Sequence, residues 1–182
     1  DPLAKHSFQA QHWEKAVRYL REAAWQARDT HAHGNAELLF TRALQAAEQI
    51  QLQPQATQLA IDLRLEFRST LELLGDQARC DQYLRQAGEM AASIQDLPRI
   101  GAQKAQQAWH NCLLGQYPQG VDDANAALQI ADDQQLLPLQ VAARGALGLL
   151  HHAQGYFTQA AQWLERNVER LRARAALVGR DQ

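Results

Sequence analysis

Small and apolar residues recur along this chain at a step of 40 positions, with polar residues between them. Cys80, Gly120 and Ala160 stand 40 residues apart, and Ala87 and Ala127 follow the first two by seven. Residues seven apart lie on one face of an α-helix, and small side chains there let a second helix approach closely. The pattern predicts pairs of antiparallel helices. Unbroken apolar runs are only a few residues long, which argues against a membrane-spanning helix.

Glycine and proline mark where these helices begin and end. Proline is favoured in the first turn of a helix, where its missing N–H has no helical acceptor. Glycine adopts the left-handed conformation that commonly ends a helix. Each repeat unit is therefore predicted to be a hairpin with a first helix, helix A, and a second, helix B. The glycines stand at steps of 40 and the prolines at steps of 44 and 40: Gly75, Gly115 and Gly155, and Pro54, Pro98 and Pro138.

The two sets of markers predict eight helices in four hairpins. The predicted A helices are 13–29, 56–74, 99–114 and 138–154, and the predicted B helices are 35–51, 77–95, 118–132 and 157–176. The hairpins, at about 12–51, 55–95, 98–133 and 137–177, are expected to form one repeat domain over residues 1–182. Because the chain starts at Asp1-Pro2 without an initiator Met, we expect it to be an excerpt of a longer protein.

Composition supports an all-α fold class. Ala, Gln and Leu supply 85 of the 182 residues, whereas Val, Ile and Thr together supply 15. The first group favours helices and the second fills pleated sheets. A β-sandwich, a β-barrel and a doubly wound α/β sheet are therefore excluded as predictions, and an α-solenoid of about four antiparallel hairpins is expected.

The hairpins resemble the tetratricopeptide repeat. That repeat has a small residue in helix A, a glycine before the turn, an aromatic residue after it, as at Tyr117 and Phe157, and small residues seven apart in helix B. The 40-residue step is longer than the standard period of about 34 residues. The resemblance implies a right-handed superhelix whose A helices line a concave groove that binds peptides. It also implies that the two aromatic residues fill gaps between hairpins.

Three shorter stretches resemble the C-terminal repeat region of large bacterial signalling proteins. In those proteins a signal-transduction ATPase, joined to a class III adenylate/guanylate cyclase or another output domain, accompanies the repeats. The resemblance implies that this chain is the regulatory or partner-docking arm of such a parent. It lacks a phosphate-binding loop and cyclase motifs, so any nucleotide chemistry would lie in other domains. The stretches are residues 13–23, 60–68 and 166–169.

Charge and motifs predict a binding protein rather than an enzyme. A net charge of −2 gives no general attraction for nucleic acid or an acidic membrane. The chain has no nucleophile elbow, no dinucleotide-binding glycine motif and no zinc-binding motif. We expect a cytoplasmic chain without catalytic residues, cofactor or metal, whose partner is a protein or peptide and neither nucleic acid nor membrane.

Histidine pairs raise an alternative, a regulatory domain that binds a small ligand or a metal. His31 and His33 flank a single residue, and His151 and His152 are adjacent. Imidazoles are common metal ligands, but no acidic or cysteine residue stands three or four positions from either member of the second pair. We expect His151 to help fill its hairpin, and Cys80, in a small-residue slot, to be an inert packed thiol.

A further alternative is self-association, because a repeat array without a capping helix exposes an apolar face at its open end. The C-terminal run also carries five arginines, with Glu165 before the first of them and Glu169 between the first two: Arg166, Arg170, Arg172, Arg174 and Arg180. We interpret this charged run as solvated helix surface.

The tetratricopeptide register implies which side chains face the groove. Arginines in the first A helix and acidic residues in the second predict a mixed-charge peptide or helix as the ligand. Trp25 and Trp109 occupy the same slot of their hairpins, and an exposed Trp would anchor a partner, although a Trp in such an array can equally belong to the core. The predicted partner-binding residues are Arg18, Arg21, Trp25, Arg28, Asp62, Glu66, Ser69, Glu72, Gln106, Trp109, Leu149 and His152.

Overall fold

A computed structural model describes residues 13–50 and 54–178. Within these ranges the chain forms eight helices and no strand, and each helix end lies within three residues of its predicted position. Residues 12 and 51, at the predicted ends of the first hairpin, lie outside the described ranges. The helices are α1 (Trp13–Asp29), α2 (His33–Glu48), α3 (Pro54–Leu73), α4 (Gln77–Ser93), α5 (Leu97–Leu113), α6 (Tyr117–Asp133), α7 (Leu137–Ala153) and α8 (Phe157–Val178).

The chain divides into two compact units, Asp1–Arg99 and Ile100–Gln182. In the first unit α1 packs on α2, α2 on α3, and α3 on α4. In the second unit α6 packs on α7, and α7 on α8. Packing between consecutive helices confirms the all-α, solenoid-like fold class. The right-handed superhelix and the single repeat domain over 1–182 stay predictions.

One residue in the left-handed conformation closes each turn that lies wholly within the described residues. Gly75, Gly115 and Gly155 have φ values of 75°, 73° and 82°, as their predicted role requires. After Gly75, the next N–H, that of Asp76, reaches back to the Leu71 carbonyl at 2.9 Å. The same conformation occurs at His31, Gln95 and Gln135, where no glycine is present.

Stacked aromatic rings and small residues form the core of the first unit. The rings of Phe40 on α2 and Phe67 on α3 stack at 5.1 Å, and Tyr83 on α4 lies 5.5 Å from Phe67. Ala36 and Ala43, in the predicted small slots of α2, are fully buried. Close helix contact at small residues is therefore confirmed for this unit.

Glycine and alanine keep the helices of the second unit close together. A Cβ atom on Gly120 would lie 2.7 Å from Cδ2 of Leu150 and 3.2 Å from the Ala108 carbonyl oxygen, so a side chain there would displace Leu150 and crowd the backbone of α5. Asn167 takes the place of a small residue in α8. Its amide donates a hydrogen bond of 2.9 Å to the Val141 carbonyl of α7, which accounts for a polar residue in a buried slot.

The two aromatic residues that follow the turns differ in how much of their side chains is buried. Tyr117 packs against an apolar cluster of the second unit, as expected. The expectation that Phe157 fills a gap between hairpins is wrong, because its side chain is exposed and its ring meets the His152 ring edge-on at 5.3 Å. No helix in the ranges 13–50 and 54–178 combines the length and apolarity needed to cross a membrane.

Candidate functional site

Predicted groove residues on α1 and α3 contact each other in the first unit. The Arg21 guanidinium donates two hydrogen bonds to the Glu66 carboxylate, one of them from Nε to Oε2 at 2.8 Å. About two turns further along α1 and one turn further along α3, Arg28 Nη1 lies 3.4 Å from Ser69 Oγ. The structure therefore brings four of the predicted residues together, and they bind one another.

A second bidentate pair extends these contacts to the start of α5. Arg99 donates from Nε and Nη2 to the two carboxylate oxygens of Asp62, both at 2.8 Å. Hydrogen bonding to Asp62 raises the pKa of Arg99, and hydrogen bonding to Glu66 raises the pKa of Arg21. Arg99 is not among the residues predicted from the sequence, because it lies outside the groove register. We call the whole set the charge row: Arg21, Arg28, Asp62, Glu66, Ser69 and Arg99.

The charge row changes the expected character of the ligand. The sequence predicts that arginine and acidic side chains here attract a mixed-charge peptide. In the structure these side chains are paired with one another and are only partly exposed. A ligand that bound these side chains would first have to break two bidentate pairs. Hydrogen bonds between charged groups are stronger than those between neutral groups, so breaking them is costly. Charge on this surface is therefore a weak source of binding energy.

Trp25 lies beneath the charge row. The Arg21 guanidinium sits 4.7 Å from the centre of the Trp25 ring, a cation–π arrangement. The rest of the indole packs against the apolar core of the first unit. Since the ring is covered on one side and packed on another, Trp25 is a supporting residue of the fold.

Two other predicted residues of the first unit bind neighbours on their own helices. Arg18 is exposed, and its guanidinium lies over the ring of the adjacent Tyr19 at 5.0 Å. Glu72 forms an ion pair with Arg68, one turn earlier on α3. These contacts are local features of helix surfaces.

Trp109 on α5 is exposed in the second unit, with 41% of its surface accessible. Leu113, one turn later on the same helix, is also exposed. Ala108 on α5 and Leu147 on α7 belong to one apolar cluster. On α7, Leu149 packs against that cluster and is half-buried, and His152 is exposed. Gln106 on α5 is half-buried. We give the name Trp109 surface to the predicted groove residues of the second unit taken together with Leu113: Gln106, Trp109, Leu113, Leu149 and His152.

The residue one turn earlier on each helix explains why Trp25 is covered and Trp109 is exposed. Arg21 precedes Trp25 by four positions, and four positions is the spacing at which side chains meet on a helix. Ala105 occupies the corresponding place before Trp109 and has no side chain long enough to cover an indole. That difference is visible in the sequence and could have distinguished the two residues.

A polar network between α5 and α6 was not predicted. Asp123 on α6 accepts hydrogen bonds from Lys104 Nζ at 2.6 Å and from Asn111 Nδ2 at 3.0 Å. Along α5, Gln107 donates to Asn111 at 3.2 Å, and Gln103 lies 3.5 Å from Gln107. The network satisfies buried amides, so it stabilises the hairpin.

The histidine pairs have separate local contacts. The His151 ring N–H donates to the Leu147 carbonyl of its own helix at 2.7 Å, and the side chain is half-buried. The rings of His31 and His33 are 5.9 Å apart. Among the described residues, no three His, Cys, Asp or Glu side chains come close enough together to hold a metal ion.

Both cysteines are buried free thiols. Burial raises the pKa of Cys80 to about 11 and raises that of Cys112 above its ordinary value. The thiolate is the reactive form of cysteine, so both side chains are held in the unreactive form at neutral pH. Cys80 is thus the packed thiol that its small-residue slot predicts.

A cavity of about 590 Å³ lies between the start of α7 and the last turns of α8. Gln140, Arg170 and Arg174 contribute its polar lining, with Leu136 and Pro138 among the apolar part. None of the predicted groove residues lines this cavity, so it is separate from both the charge row and the Trp109 surface.

The comparisons with known proteins show the fold alone. No protein-family profile matches the chain, and no curated protein matches it. Among solved structures it is similar to the crystal structure of BtubC (BKLC) from P. vanneervenii, with a TM-score of 0.69 and 16% sequence identity over 92% of this chain. The match covers 66% of that protein, so this chain spans slightly less than two thirds of its length.

Proposed function

We propose that this chain is a protein-interaction module that binds a peptide or helix on the Trp109 surface, and that it binds rather than catalyses. The exposed indole of Trp109 carries the proposal. Tryptophan dominates the binding energy of many interfaces because it contributes a large apolar area with a polar N–H at its edge. Leu113, one turn later on α5, supplies exposed apolar area beside it.

The ligand we propose is anchored by an apolar or aromatic side chain. Paired charges in the charge row offer little to a charged ligand, whereas the exposed side chains of Trp109 and Leu113 offer apolar contact. This refines the mixed-charge ligand that the sequence predicts. The solenoid-like fold supports the proposal, since stacked helical hairpins present extended surfaces to partners.

The finer proposal is that the module is a tetratricopeptide-like arm of a bacterial signalling ATPase or cyclase. It rests on the resemblance of residues 13–23 and 60–68, which lie in α1 and α3. The bidentate pair between Arg21 and Glu66 joins these two stretches. Part of the resemblance therefore reflects how two A helices pack, and the partner-binding residues we propose lie elsewhere.

A random-peptide phage library selected on the full chain tests the proposal. We expect the enriched peptides to share an apolar anchor, and Trp109→Ala to weaken their binding at least about tenfold. The variant should unfold at the same temperature as the wild type, because the indole is exposed. Leu38→Ala, which trims an exposed leucine on α2, is the matched control and should leave binding unchanged.

Trp25→Ala separates binding from folding. We expect this variant to lower the thermal transition, since the ring packs on the core and supports Arg21. The proposal is wrong if Trp109→Ala lowers the thermal transition as much as Trp25→Ala does, or if the selected peptides bind Trp109→Ala as tightly as they bind the wild type.

A further inference from the structure

The last helix carries a row of exposed apolar residues at heptad spacing. Leu164, Val168 and Leu171 are 48%, 45% and 48% exposed. Ala161 precedes them by three positions, Ala175 follows by four, and both are exposed. Alternating steps of three and four are the spacing of the seam along which two helices pack as a coiled coil. We call these five residues the α8 stripe.

The corresponding positions of earlier B helices are covered by another helix. The positions 40 residues before Leu164, Val168 and Leu171 lie on α6, where α7 covers them. When α2 is aligned with α8 by the small residues Ala36 and Ala160, the equivalent positions on α2 are covered by α3. On α2 the covering contact includes the Phe40–Phe67 stack. The related residues are buried or half-buried: Ala124, Leu128 and Ala131 on α6, and Phe40, Leu44 and Ala47 on α2.

Charges beside the stripe are complementary to a reversed copy of themselves. Glu165 and Arg172 each follow a leucine of the stripe by one position, so they lie on the same flank seven residues apart. When two such helices pair antiparallel about Val168, Glu165 of one copy faces Arg172 of the other, and the contact occurs twice. Charges at flanking positions of this kind set partner choice and orientation.

We propose that α8 pairs antiparallel with α8 of a second copy of this chain through the α8 stripe. A two-fold interface requires a surface that complements itself, and both the stripe and its flanking charges meet that requirement. One side of Leu164 packs against α7, since a Cβ atom at Gly148 of α7 would lie 3.0 Å from Leu164 Cδ2. The stripe therefore lies on a helix that is packed against its neighbour. The pairing is independent of the function proposed for the Trp109 surface.

Sedimentation equilibrium of the full chain over a range of concentrations tests the pairing. We expect a reversible equilibrium between monomer and dimer. Val168→Glu places like charges opposite each other at the two-fold axis and should weaken the dimer at least about tenfold. Gln162→Glu adds the same charge to an exposed position on the opposite side of α8 and should leave the dimer unchanged. Circular dichroism verifies that both variants remain helical.

A charge swap identifies the second copy as the occupant and fixes the orientation. Glu165→Arg and Arg172→Glu should each weaken the dimer, whereas the double variant, or an equimolar mixture of the two single variants, should restore it. A chain that is monomeric at every concentration overturns the proposal. So does a dimer that survives Val168→Glu, or a double variant that dimerises no better than the single ones.

Discussion

Two tryptophans at the same position of their hairpins have different surroundings because of the residue one turn earlier. Arg21 covers Trp25 and is held there by Glu66, which is 45 residues away in sequence. Ala105 leaves Trp109 uncovered. The spacing of Arg21 and Trp25 could have revealed from the sequence that an arginine covers this tryptophan. Which residue of α3 holds Arg21 in place could not be predicted in this way, because the register within one helix does not determine its contacts with another helix.

Some turns have a non-glycine residue in the left-handed conformation. Each such residue lowers the free energy of unfolding. Gln135 has a φ of 55°, where its Cβ is crowded by its own backbone. Gln135→Gly should raise the free energy of unfolding by about 1 kcal/mol, because glycine adopts this conformation without that crowding. Urea denaturation followed by circular dichroism measures the change.

The neighbouring residue provides the control for this substitution. Gln134 has a φ of −93°, which any residue adopts. Gln134→Gly should therefore lower the free energy of unfolding, by about 0.5–1 kcal/mol, because glycine loses more conformational freedom on folding. If Gln135→Gly were destabilising to the same extent, the turn would not be limited by the conformation of Gln135.

At the scale of helices, the sequence predicts where elements begin and end better than how polar residues meet between them. Pro54, Gly75 and the small residues are local markers, and the helices follow them. The network around Asp123 joins residues 12 and 19 positions apart on two helices. Its members look like ordinary solvated helix residues until the hairpin is closed, so composition and spacing did not identify them.

Asn111 should stabilise the hairpin of α5 and α6 through this network. Its side chain is buried, donates to Asp123 and accepts from Gln107. Asn111→Ala should lower the free energy of unfolding by about 1–3 kcal/mol, the usual cost of leaving buried partners without a hydrogen bond. Asp122→Ala, at the exposed position beside Asp123, should change it by less than about 0.5 kcal/mol. Equal effects of the two substitutions in urea denaturation would contradict the role given to the network.

Asp96 should make the first unit sensitive to acid. Burial alone would raise the pKa of this carboxyl, but hydrogen bonds from the Arg99 side chain and backbone N–H and from Gln58 outweigh it and lower the pKa. The folded state therefore binds the proton less tightly than the unfolded state. The resulting stability is complete above the unfolded pKa of about 3.9 and is lost as the pH falls through the lower folded value.

Replacing the carboxyl with an amide tests this linkage. Asp96→Asn should lower stability at pH 7 and make it less dependent on pH below about 4, because an amide still accepts from the helix N–H but carries no charge. Asp81→Asn, at an exposed position of α4, should retain the full loss of stability in acid. Urea denaturation from pH 7 down to pH 2 measures both. An Asp96→Asn chain that lost as much stability in acid as the wild type would contradict the assignment.

At the scale of the whole molecule, composition and the 40-residue step suffice for the fold class. The function depends instead on which parts of the helix surfaces stay free. Of the groove residues predicted from the register, those in the first unit bind neighbours such as Glu66, while Trp109 and His152 in the second remain exposed. The central claim of a binding module therefore depends on Trp109.

The most direct test is a titration of a single-tryptophan chain. Trp13, Trp25 and Trp163 are changed to Phe, so that Trp109 alone reports, and a fluorescently labelled peptide from the phage selection is added. We predict that the emission of Trp109 shifts to shorter wavelength as its ring leaves water, at the same peptide concentrations that raise the anisotropy of the label. A rise in anisotropy with no change in Trp109 emission would contradict the account, because the peptide would then bind elsewhere.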